Sequence, residues 1–476
     1  MRRLTIDTGR LGIVLALLAL AAGRAATASA APPYQANGVK VGEVTQTSAI
    51  IWTRLTEKPE RLNDGLAWQD AKTLPEGATL DQMEGAVPGA GGEVRVVYRR
   101  GDENTETATD WMPVDPERDF TRQFVLSGLE PGRKYGFRVE CRAAGGPAGP
   151  TIEGRFQTVP PADEPARVVF TVVTGQAYGD RDCPEGYKSY ASMLALGPSF
   201  FAHTGDILYY DGNKPIAQNV AQARYHWHRM YSLPSLVEFH RQVNSYFIKD
   251  DHDTWQNDCW PTMQNNKMGE FTFAEGLAIF PEQVPMGEST YRTIRWGKDL
   301  QVWLVEGRDF RSPNNMPDGP DKTIWGREQK DWFKRTVEAS DAAFRVLISP
   351  TPLVGPDRTN KADNHANKAF TQEGDELRAF IAAQKNMVTC CGDRHWQYVS
   401  VHPASGVREY SCGPISDQHA GGWKQSEFVE AYHQYLNVTG GFLAGTVERI
   451  DGKPTLSFRH YSPEGELLHE DRLVGE

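Results

Sequence analysis

The sequence predicts an α/β fold that is preceded by a small antiparallel β-sandwich, and two patterns carry this prediction. Between residues 34 and 158, segments such as 38–54 and 93–99 alternate apolar and polar residues, which is typical of strands with one buried face. From residue 166 onwards, apolar segments alternate with helix-like stretches, as in open α/β sheets. Polar residues cluster just after the apolar segments, where such sheets bind their ligands.

The chain divides into two predicted domains, residues 32–160 and residues 166–476, which are joined by a short stiff linker at 159–165. Strands and helices of the second domain are predicted over Arg167–Val173, Phe200–His203, Ser245–Lys249, Leu300–Val305, Glu328–Ser340 (helix), Arg345–Ile348, Glu373–Gln384 (helix) and Asn386–Cys390. No catalytic constellation is visible in the first domain.

The first domain carries one specific fold signal. A Leu-x-Pro-Gly-x-x-Tyr pattern ends at Tyr135 and resembles the corner of fibronectin type III domains, in which a Tyr packs beneath the turn. We therefore expect a fibronectin- or immunoglobulin-like sandwich. Residues 56–92 are rich in Gly and Pro without periodicity, so we expect a long surface loop there.

Composition excludes several classes of protein. Of the 476 residues, 39% are hydrophobic and 24% are charged, which argues against disorder and coiled coil for most of the length. The 62 acidic and 51 basic residues give a net charge of −11, and no Lys/Arg-rich tract is present, so a nucleic-acid partner is not expected. Six cysteines permit disulfides without making the fold depend on them. Cys390 and Cys391 are neighbours on a predicted strand and should face opposite sides of the sheet.

Residues 1–31 have the pattern of a cleaved export signal. Arg2 and Arg3 precede an apolar run from Leu11 to Gly23, which is followed by small residues at 28–30. The run is too short to span a bilayer; an N-terminal core helix is the structural alternative. The paired arginines suggest the twin-arginine route, with ordinary secretion as the other possibility. No second apolar run of spanning length follows, so we expect a soluble periplasmic or secreted product.

Four loops that follow predicted strands are rich in the oxygen and nitrogen ligands of hard cations. They are Gln176–Asp182, Gly205–Asp211, Lys249–Asp258 and Cys391–Trp396. Three acids surround His252 in the third loop and repel one another, which makes a bound cation the better account of that arrangement. Asp393 and His395 are two residues apart, so on an extended segment they point to the same side and can share a cation.

Each of these loops also has a structural interpretation. The Gly-Asp pair at Asp206 is common as a turn or helix cap, and the acidic loop around His252 can be a solvated surface loop. His395 can be a structural histidine. Asp180 and Asp182 lie in a segment that is more often plain loop than metal site. No single loop decides between the two interpretations.

In their order along the chain, the loops resemble the alkaline phosphatase D (PhoD-like) family of calcineurin-type metallophosphoesterases. The shared motifs are Gly-Asp-x-x-Tyr-x-Asp, then Asp-Asp-His-Asp followed shortly by Asn-Asp, then Gly-Asp-x-His. The resemblance extends to an immunoglobulin-like N-terminal domain, to the helix start at residues 324–329 with Trp332, and to a closing β segment near 442–461. It implies a four-layer metallophosphoesterase β-sandwich flanked by helices.

The resemblance implies roles for individual residues. Asp206 is expected to bridge two metals, and Tyr209 to supply a phenolate that favours ferric iron. Asp251 stands where the broader superfamily places a metal-binding Asn. The further residues that match the family's ligands are Asn257, Asp393 and His395.

Two other assignments concern the substrate. His252 resembles the histidine that assists at the scissile phosphate, a role suited to a side chain that titrates near neutrality. Asn364 and His365 lie beyond a predicted strand, in a segment where related enzymes present a metal histidine. We expect them to line the pocket, with a structural loop as the alternative.

One position departs from the family pattern. Relatives commonly have Ser-Cys-Gln after the first strand, with the Cys as an iron ligand, whereas this chain has Thr174-Gly175-Gln176. Asp180 or Asp182 replaces the missing ligand, or the iron site is altered, or the protein is a divergent member of reduced activity. Cys183 is a weaker substitute.

The expected function is an exported, metal-dependent phosphoesterase that hydrolyses phosphomonoesters or phosphodiesters with a metal-activated water. The resemblance implies two or more metal ions, Fe³⁺ and Ca²⁺, with Zn²⁺ or Mn²⁺ as alternatives. The substrate is expected to be a small phosphoester or a lipid or polymer phosphodiester. A phospholipase-like diesterase and a catalytically reduced surface binding protein are the competing hypotheses, and the sequence leaves the oligomeric state open.

Overall fold

The computed structural model describes residue 1 and residues 31–212, 214–264 and 267–475. The predicted export signal lies outside these residues except for its first and last positions. Across the described ranges, no helix is both long enough and apolar enough to cross a bilayer.

The N-terminal part forms the predicted β-sandwich. Its strands are β1 (Val39–Gly42), β2 (Ser48–Arg54), β3 (Glu93–Arg100), β4 (Thr107–Ala108), β5 (Met112–Pro113), β6 (Thr121–Ser127), β7 (Lys134–Arg142) and β8 (Ala148–Gln157). One layer holds β1, β2 and β6, and the other runs β4-β3-β7-β8 with β5 on β3. The Tyr135 hydroxyl accepts the backbone N–H of Glu130 at 3.0 Å, which confirms the predicted corner.

The remaining chain forms two sheets and six helices within the described residues. The strands are β9 (Val168–Val173), β10 (Phe200–His203), β11 (Ser245–Phe247), β12 (Arg292–Trp296), β13 (Leu300–Leu304), β14 (Phe344–Ser349), β15 (Met387–Cys391), β16 (Gln397–Val401), β17 (Arg408–Cys412), β18 (His433–Asn437), β19 (Phe442–Ile450), β20 (Lys453–Tyr461) and β21 (Leu467–Val474). The helices are α1 (Lys188–Ala195), α2 (Val220–Tyr231), α3 (Pro234–His240), α4 (Phe273–Gln283), α5 (Gly326–Glu338) and α6 (Thr371–Ala382).

Four layers result from the way these elements bury their apolar faces. The two sheets pack face to face over a core that includes Phe170, Phe200 and Val346. Helices α1 to α4 cover the outer face of one sheet, and α5 and α6 cover the other through side chains such as Phe333 and Leu377. This helix-sheet-sheet-helix arrangement confirms the expected fold class.

The two parts of the chain share one sheet. Strand β1 pairs in parallel with β11, with Gly42 opposite Ser245, so the order is β21-β20-β19-β9-β10-β11-β1-β2-β6. The buried Trp52 donates its indole N–H to the Glu282 carbonyl at 2.8 Å, and Lys40 donates to the Gln283 carbonyl at 3.0 Å. The linker therefore separates the domains in sequence, while a continuous sheet joins them in space.

Segment 56–92 differs from the expectation of a surface loop. Apart from a short 3₁₀ turn at residues 80–82 it has no helix or strand of its own, but Met83 and Ala86 are buried against Tyr225 of α2. Because these apolar side chains find partners on the second domain, the segment adds to the contact between the domains.

The cysteines match the strand prediction. Cys390 lies in the core between the sheets, and Cys391 points to the other side, beside Trp396 and Tyr398. All six cysteines lie in the described part of the chain as free thiols.

Candidate metal centre

Register brings the candidate loops to one edge of the molecule. Val173, His203 and Phe247 stand side by side at the carboxyl ends of β9, β10 and β11. In the second sheet Ser349, Cys391 and Ser411 of β14, β15 and β17 are aligned in the same way. The loops that follow both sets of strands meet between the sheets, where the Ile415 N–H donates to the Thr174 carbonyl at 3.1 Å. This edge is where an open α/β sheet presents functional side chains.

Both Gly-Asp pairs are strained turns. Asp206 has φ of 54° and Asp393 has φ of 60°, the left-handed conformation that non-glycine residues rarely adopt and that concentrates at functional sites. A Cβ on Gly205 would lie 2.5 Å from the Cβ of Asp250, and one on Gly392 would be similarly obstructed. The glycines thus allow the loops to approach one another closely.

Asp206, Asp251 and His252 form the first group of potential ligands. Their ligand atoms all lie within 4.8 Å of one another. Burial, together with the charge of Asp251, raises the pKa of Asp206 well above its ordinary value. The Oδ1 atom of Asp206 is buried without a hydrogen-bond partner. An unsatisfied carboxylate oxygen beside a second carboxylate is an arrangement that a cation would stabilise.

Tyr209 lies at the centre of the second group. Its hydroxyl oxygen is 3.2 Å from Oδ2 of Asp206, 3.2 Å from Nε2 of His395 and 2.6 Å from Nε2 of His419. Asp206 therefore contacts both groups, as a bridging carboxylate must. The structure brings together Asp206, Tyr209, Asp251, His252 and His395 from the predicted set and adds His419.

His252 is held by a carboxylate that the sequence-based assignment overlooked. Its Nδ1 lies 2.5 Å from Oδ1 of Asp211, and Oδ2 of Asp211 accepts the backbone N–H of Asn257 at 3.0 Å. Burial lowers the pKa of His252, but the charges of Asp251 and Asp211 outweigh that effect and hold it well above its ordinary value. Since Nδ1 is engaged, Nε2 is the nitrogen that can face a substrate.

Asp393 and Asn257 stand at the margin of the two groups. The backbone N–H of Asp393 donates to Thr174 at 3.2 Å, and its carboxylate is 3.0 Å from the Arg394 guanidinium. Burial raises the pKa of Asp393 to about 6, against the opposing charge of Arg394. Asn257 is exposed and binds Asp211 through its backbone.

Asn364 and His365 do not line the site. Both are buried, at 0% and 1% exposure. Nε2 of His365 is 2.9 Å from Glu373 at the start of α6, and Asn364 donates to Asp357 at 2.8 Å. Their contacts match the structural-loop alternative, because a pocket residue would present polar atoms to the cavity instead.

The aspartates offered as substitutes at Gly175 have other partners. Asp182 accepts the backbone N–H of Lys188 at the start of α1 and the hydroxyl of Ser416, at 2.9 and 2.8 Å. Asp180 lies 2.7 Å from Nδ1 of His419, on the far side of that ring from Tyr209. Neither carboxylate joins the converging ligands directly.

His419 is a second candidate residue, besides Asp211, that sequence reasoning missed. It lies in a short 3₁₀ turn, Asp417–His419, on the loop that follows β17. A sequence signal for His419 was present in Arg408–Cys412, which alternates polar and apolar residues as a strand does. Recognising this strand would have placed residues 413–419 at the same edge as the other candidate loops.

An open pocket of about 620 Å³ lies beside the second group, lined by Arg358, Trp423 and Lys424 among others. The Trp423 ring stacks on Trp396 at 5.3 Å between centroids, and the Gly421 N–H donates to the His395 carbonyl at 2.9 Å. The pocket therefore lies next to the segment that carries His395. It combines an aromatic wall with two cations that are paired with Asp357 and Glu427.

Family comparisons agree with this geometry. The model described as "PhoD-like phosphatase" matches residues 170–442, and "PhoD-like phosphatase, N-terminal domain" matches residues 20–160. The chain belongs to the PhoD-like phosphatase family. Among curated proteins, this PhoD-like chain is similar to alkaline phosphatase D of Bacillus subtilis (strain 168), at 22% identity over 348 residues. That match covers 65% of this chain, and the chain spans about half (54%) of the length of that relative.

Solved structures show the same fold. The structure of PhoD superposes with a TM-score of 0.74 at 17% identity, covering 94% of this chain and 90% of that one. A purple acid phosphatase, PPD1 from seeds of yellow lupin (Lupinus luteus), superposes with a TM-score of 0.61 at 12% identity, covering 92% and 74%. These relatives imply metal ions, and the two ligand groups around Asp206 fit that implication.

Proposed function

We propose that this protein is an exported, metal-dependent phosphoesterase that hydrolyses phosphomonoesters or phosphodiesters. The observation that carries the proposal is the position of Asp206, which contacts Tyr209 and His395 on one side and belongs to the group of Asp251 and His252 on the other. One carboxylate shared between two ligand groups is what a two-metal site requires.

The ligand types bear on which metals are bound. Tyr209, His395 and Asp206 offer a phenol oxygen, an imidazole nitrogen and a carboxylate, a set that suits ferric iron and also Zn²⁺ or Mn²⁺. Asp251 adds a carboxylate of the kind that Ca²⁺ prefers. When bound, the ions would polarise the phosphoryl group, lower the pKa of a water towards neutrality and stabilise charge during in-line displacement.

The protein's own side chains then have distinct roles. Asp211 orients the ring of His252 and stabilises its protonated form, in which both ring nitrogens carry a proton, so Nε2 can donate its proton to the leaving oxygen. Arg358 and Lys424 line the adjoining pocket, each paired with a neighbouring carboxylate, and their remaining N–H groups can donate to a negatively charged part of the substrate.

The shape of the pocket favours a substrate with a substituent beyond the reacting phosphate. An opening of about 620 Å³ beside the metal centre has room for a second ester group, as a phosphodiester or phospholipid-like substrate would carry. This supports a diesterase as the second candidate function, alongside a phosphomonoesterase acting on a bulky ester.

The deciding experiment measures metal and activity together. Protein purified without chelator should contain two cations per chain and hydrolyse members of a panel of aryl and alkyl phosphomonoesters and phosphodiesters. Chelator treatment should abolish hydrolysis, and returning the metal should restore it. Hydrolysis that persists in metal-free protein would contradict the proposal, and a metal-loaded protein inactive on the whole panel would favour the binding-protein hypothesis.

A further inference from the structure

Three potential metal ligands converge on the hydroxyl oxygen of Tyr209. A tyrosine hydroxyl has one proton, so it can donate to only one of Asp206, His395 and His419, although all three lie within 3.2 Å of its oxygen. A buried acceptor without a proton is costly, and Oδ1 of Asp206 has no hydrogen-bond partner. A cation among them would remove that cost.

Asp180 determines which nitrogen of His419 faces the cluster. Its Oδ2 lies 2.7 Å from Nδ1, so the proton of a neutral imidazole is on Nδ1 and the lone pair is on Nε2. Nε2 is the atom 2.6 Å from the Tyr209 oxygen. A carboxylate behind a histidine whose other nitrogen faces a metal is the usual way in which proteins orient an imidazole ligand.

Gly175 leaves the space that the two imidazole rings occupy. A Cβ at this position would lie 3.2 Å from Cδ2 of His395 and 3.2 Å from Cδ2 of His419. The ring centroids of these histidines are 4.2 Å apart. A side chain at position 175 would therefore compete with His419 for the same volume.

The loop that carries His419 is firmly anchored. Ser189 donates to the Ile415 carbonyl at 2.7 Å, Ser416 donates to Asp182 at 2.8 Å, and Thr439 donates to Asp417 at 2.6 Å. Such support holds a ligand in place before the metal arrives. The two aspartates of the 176–182 loop thus both act on His419, Asp180 directly and Asp182 through Ser416.

We propose that His419 is a metal ligand that completes the site beside Gly175, with Asp180 as its positioning residue. His419 supplies the metal with a nitrogen atom from a loop at the other end of the chain. This inference rests on the proposed metal-dependent function and adds a ligand that the motif-bearing loops do not contain. It also implies that the metal has a full set of ligands although residue 175 is a glycine.

The test compares metal retention among variants of the full-length protein. Each variant is purified without chelator, exposed to graded chelator, and analysed for metal per chain, with thermal melting and circular dichroism as checks of folding. His419→Ala should lose one of two cations. Asp180→Asn should keep both in excess metal but hold one of them ~10–100-fold more weakly. Gly175→Ala should weaken the same cation, because its methyl group crowds both rings.

A matched control is His402→Ala, which removes a histidine that binds Ser405 at a distant turn and should retain both cations at the wild-type affinity. If His419→Ala and Asp180→Asn both keep wild-type metal content and affinity, His419 is not a ligand and the inference fails while the proposed function stands. A wild-type protein without metal would overturn both. If His419→Ala does not fold, Asp180→Asn and Gly175→Ala decide the question.

Discussion

Oδ1 of Asp211 lies 2.5 Å from Nδ1 of His252. The pair resembles the arrangement in which a carboxylate orients an imidazole for proton transfer. This contact favours a role of His252 in proton donation over a role in metal binding. The two roles predict different metal contents and hydrolysis rates for variants of His252.

Substitution of His252 tests proton donation. His252→Ala should keep both cations, because Asp206 and Asp251 remain as ligands in the first group, but lose turnover ~10²–10⁴-fold on alkyl esters, whose leaving alkoxide needs a proton. The loss on an activated aryl ester should be much smaller. Steady-state kinetics on a matched pair of such esters provides the measurement. Equal losses on both esters would indicate that His252 orients the phosphate, and loss of metal would make it a ligand.

Asp206→Asn should have the largest effect on metal content, because this carboxylate serves both ligand groups. We expect fewer than one tightly bound cation per chain and loss of hydrolysis, measured by elemental analysis and the phosphoester assay. Asp341→Asn is the matched control, since that carboxylate is almost fully exposed and pairs only with Arg295 among the described contacts. An Asp206→Asn protein with normal metal content would reassign the residue to the turn alone.

The buried pair of Glu373 and His365 predicts a pH-dependent stability. Burial would raise the pKa of Glu373, but the hydrogen bond and charge of His365 lower it to about 2, against 4.5 for the free side chain. A depressed carboxyl pKa stabilises the fold fully above pH 4.5, and this contribution is lost as the pH falls towards 2. A difference of that size corresponds to about 3 kcal/mol.

Glu373→Gln should therefore lower the free energy of unfolding by about 3 kcal/mol near pH 7, with the deficit shrinking between pH 4.5 and 2. Urea unfolding at several pH values gives the measurement. Glu338→Gln, at the exposed end of α5, is the control and should change stability little at any pH. A constant deficit across this pH range would show that the ionisation of Glu373 is not the cause.

Residues 166–476 produced alone should aggregate. Removing the first domain exposes the edge of β11 that pairs with β1 and uncovers the surface on which Trp52 packs. Size-exclusion chromatography should show large species, and residues 32–476 should elute as a defined species. A soluble, cooperatively unfolding 166–476 fragment would show that the shared sheet is dispensable for folding of the second domain.

The sequence predicted the central strands well because strands buried on both faces are largely apolar. Segments such as Phe200–His203 and Leu300–Leu304 are of this kind, and each was located to within one residue. Helix α2 was missed, since its polar and aromatic residues are buried together, among them His226 and Arg229, and give no clear apolar stripe.

The candidate site was predictable only where its residues share a short motif. Asp206 with Tyr209, and Asp393 with His395, are close in sequence and could be recognised as pairs. The contact between Asp180 and His419 joins distant loops through the topology of two sheets, which no local pattern encodes. Asp182 was predicted to bind metal and His365 to line the pocket, but Asp182 accepts a backbone N–H at the start of α1 and His365 pairs with Glu373 in the core. The residue types that bind metals also serve these structural roles.

The pairing of β1 with β11 also constrains the order of folding. Gly42 and Ser245 are distant in sequence, so a very long loop must close before the central sheet is complete. Non-local parallel pairing is slow, and during synthesis the first strands emerge with an open edge well before their partner is made. Until Ser245 and its neighbours are made, that open edge can pair with strands of other chains. The strand order therefore makes a nascent or truncated chain more prone to aggregation than the finished protein.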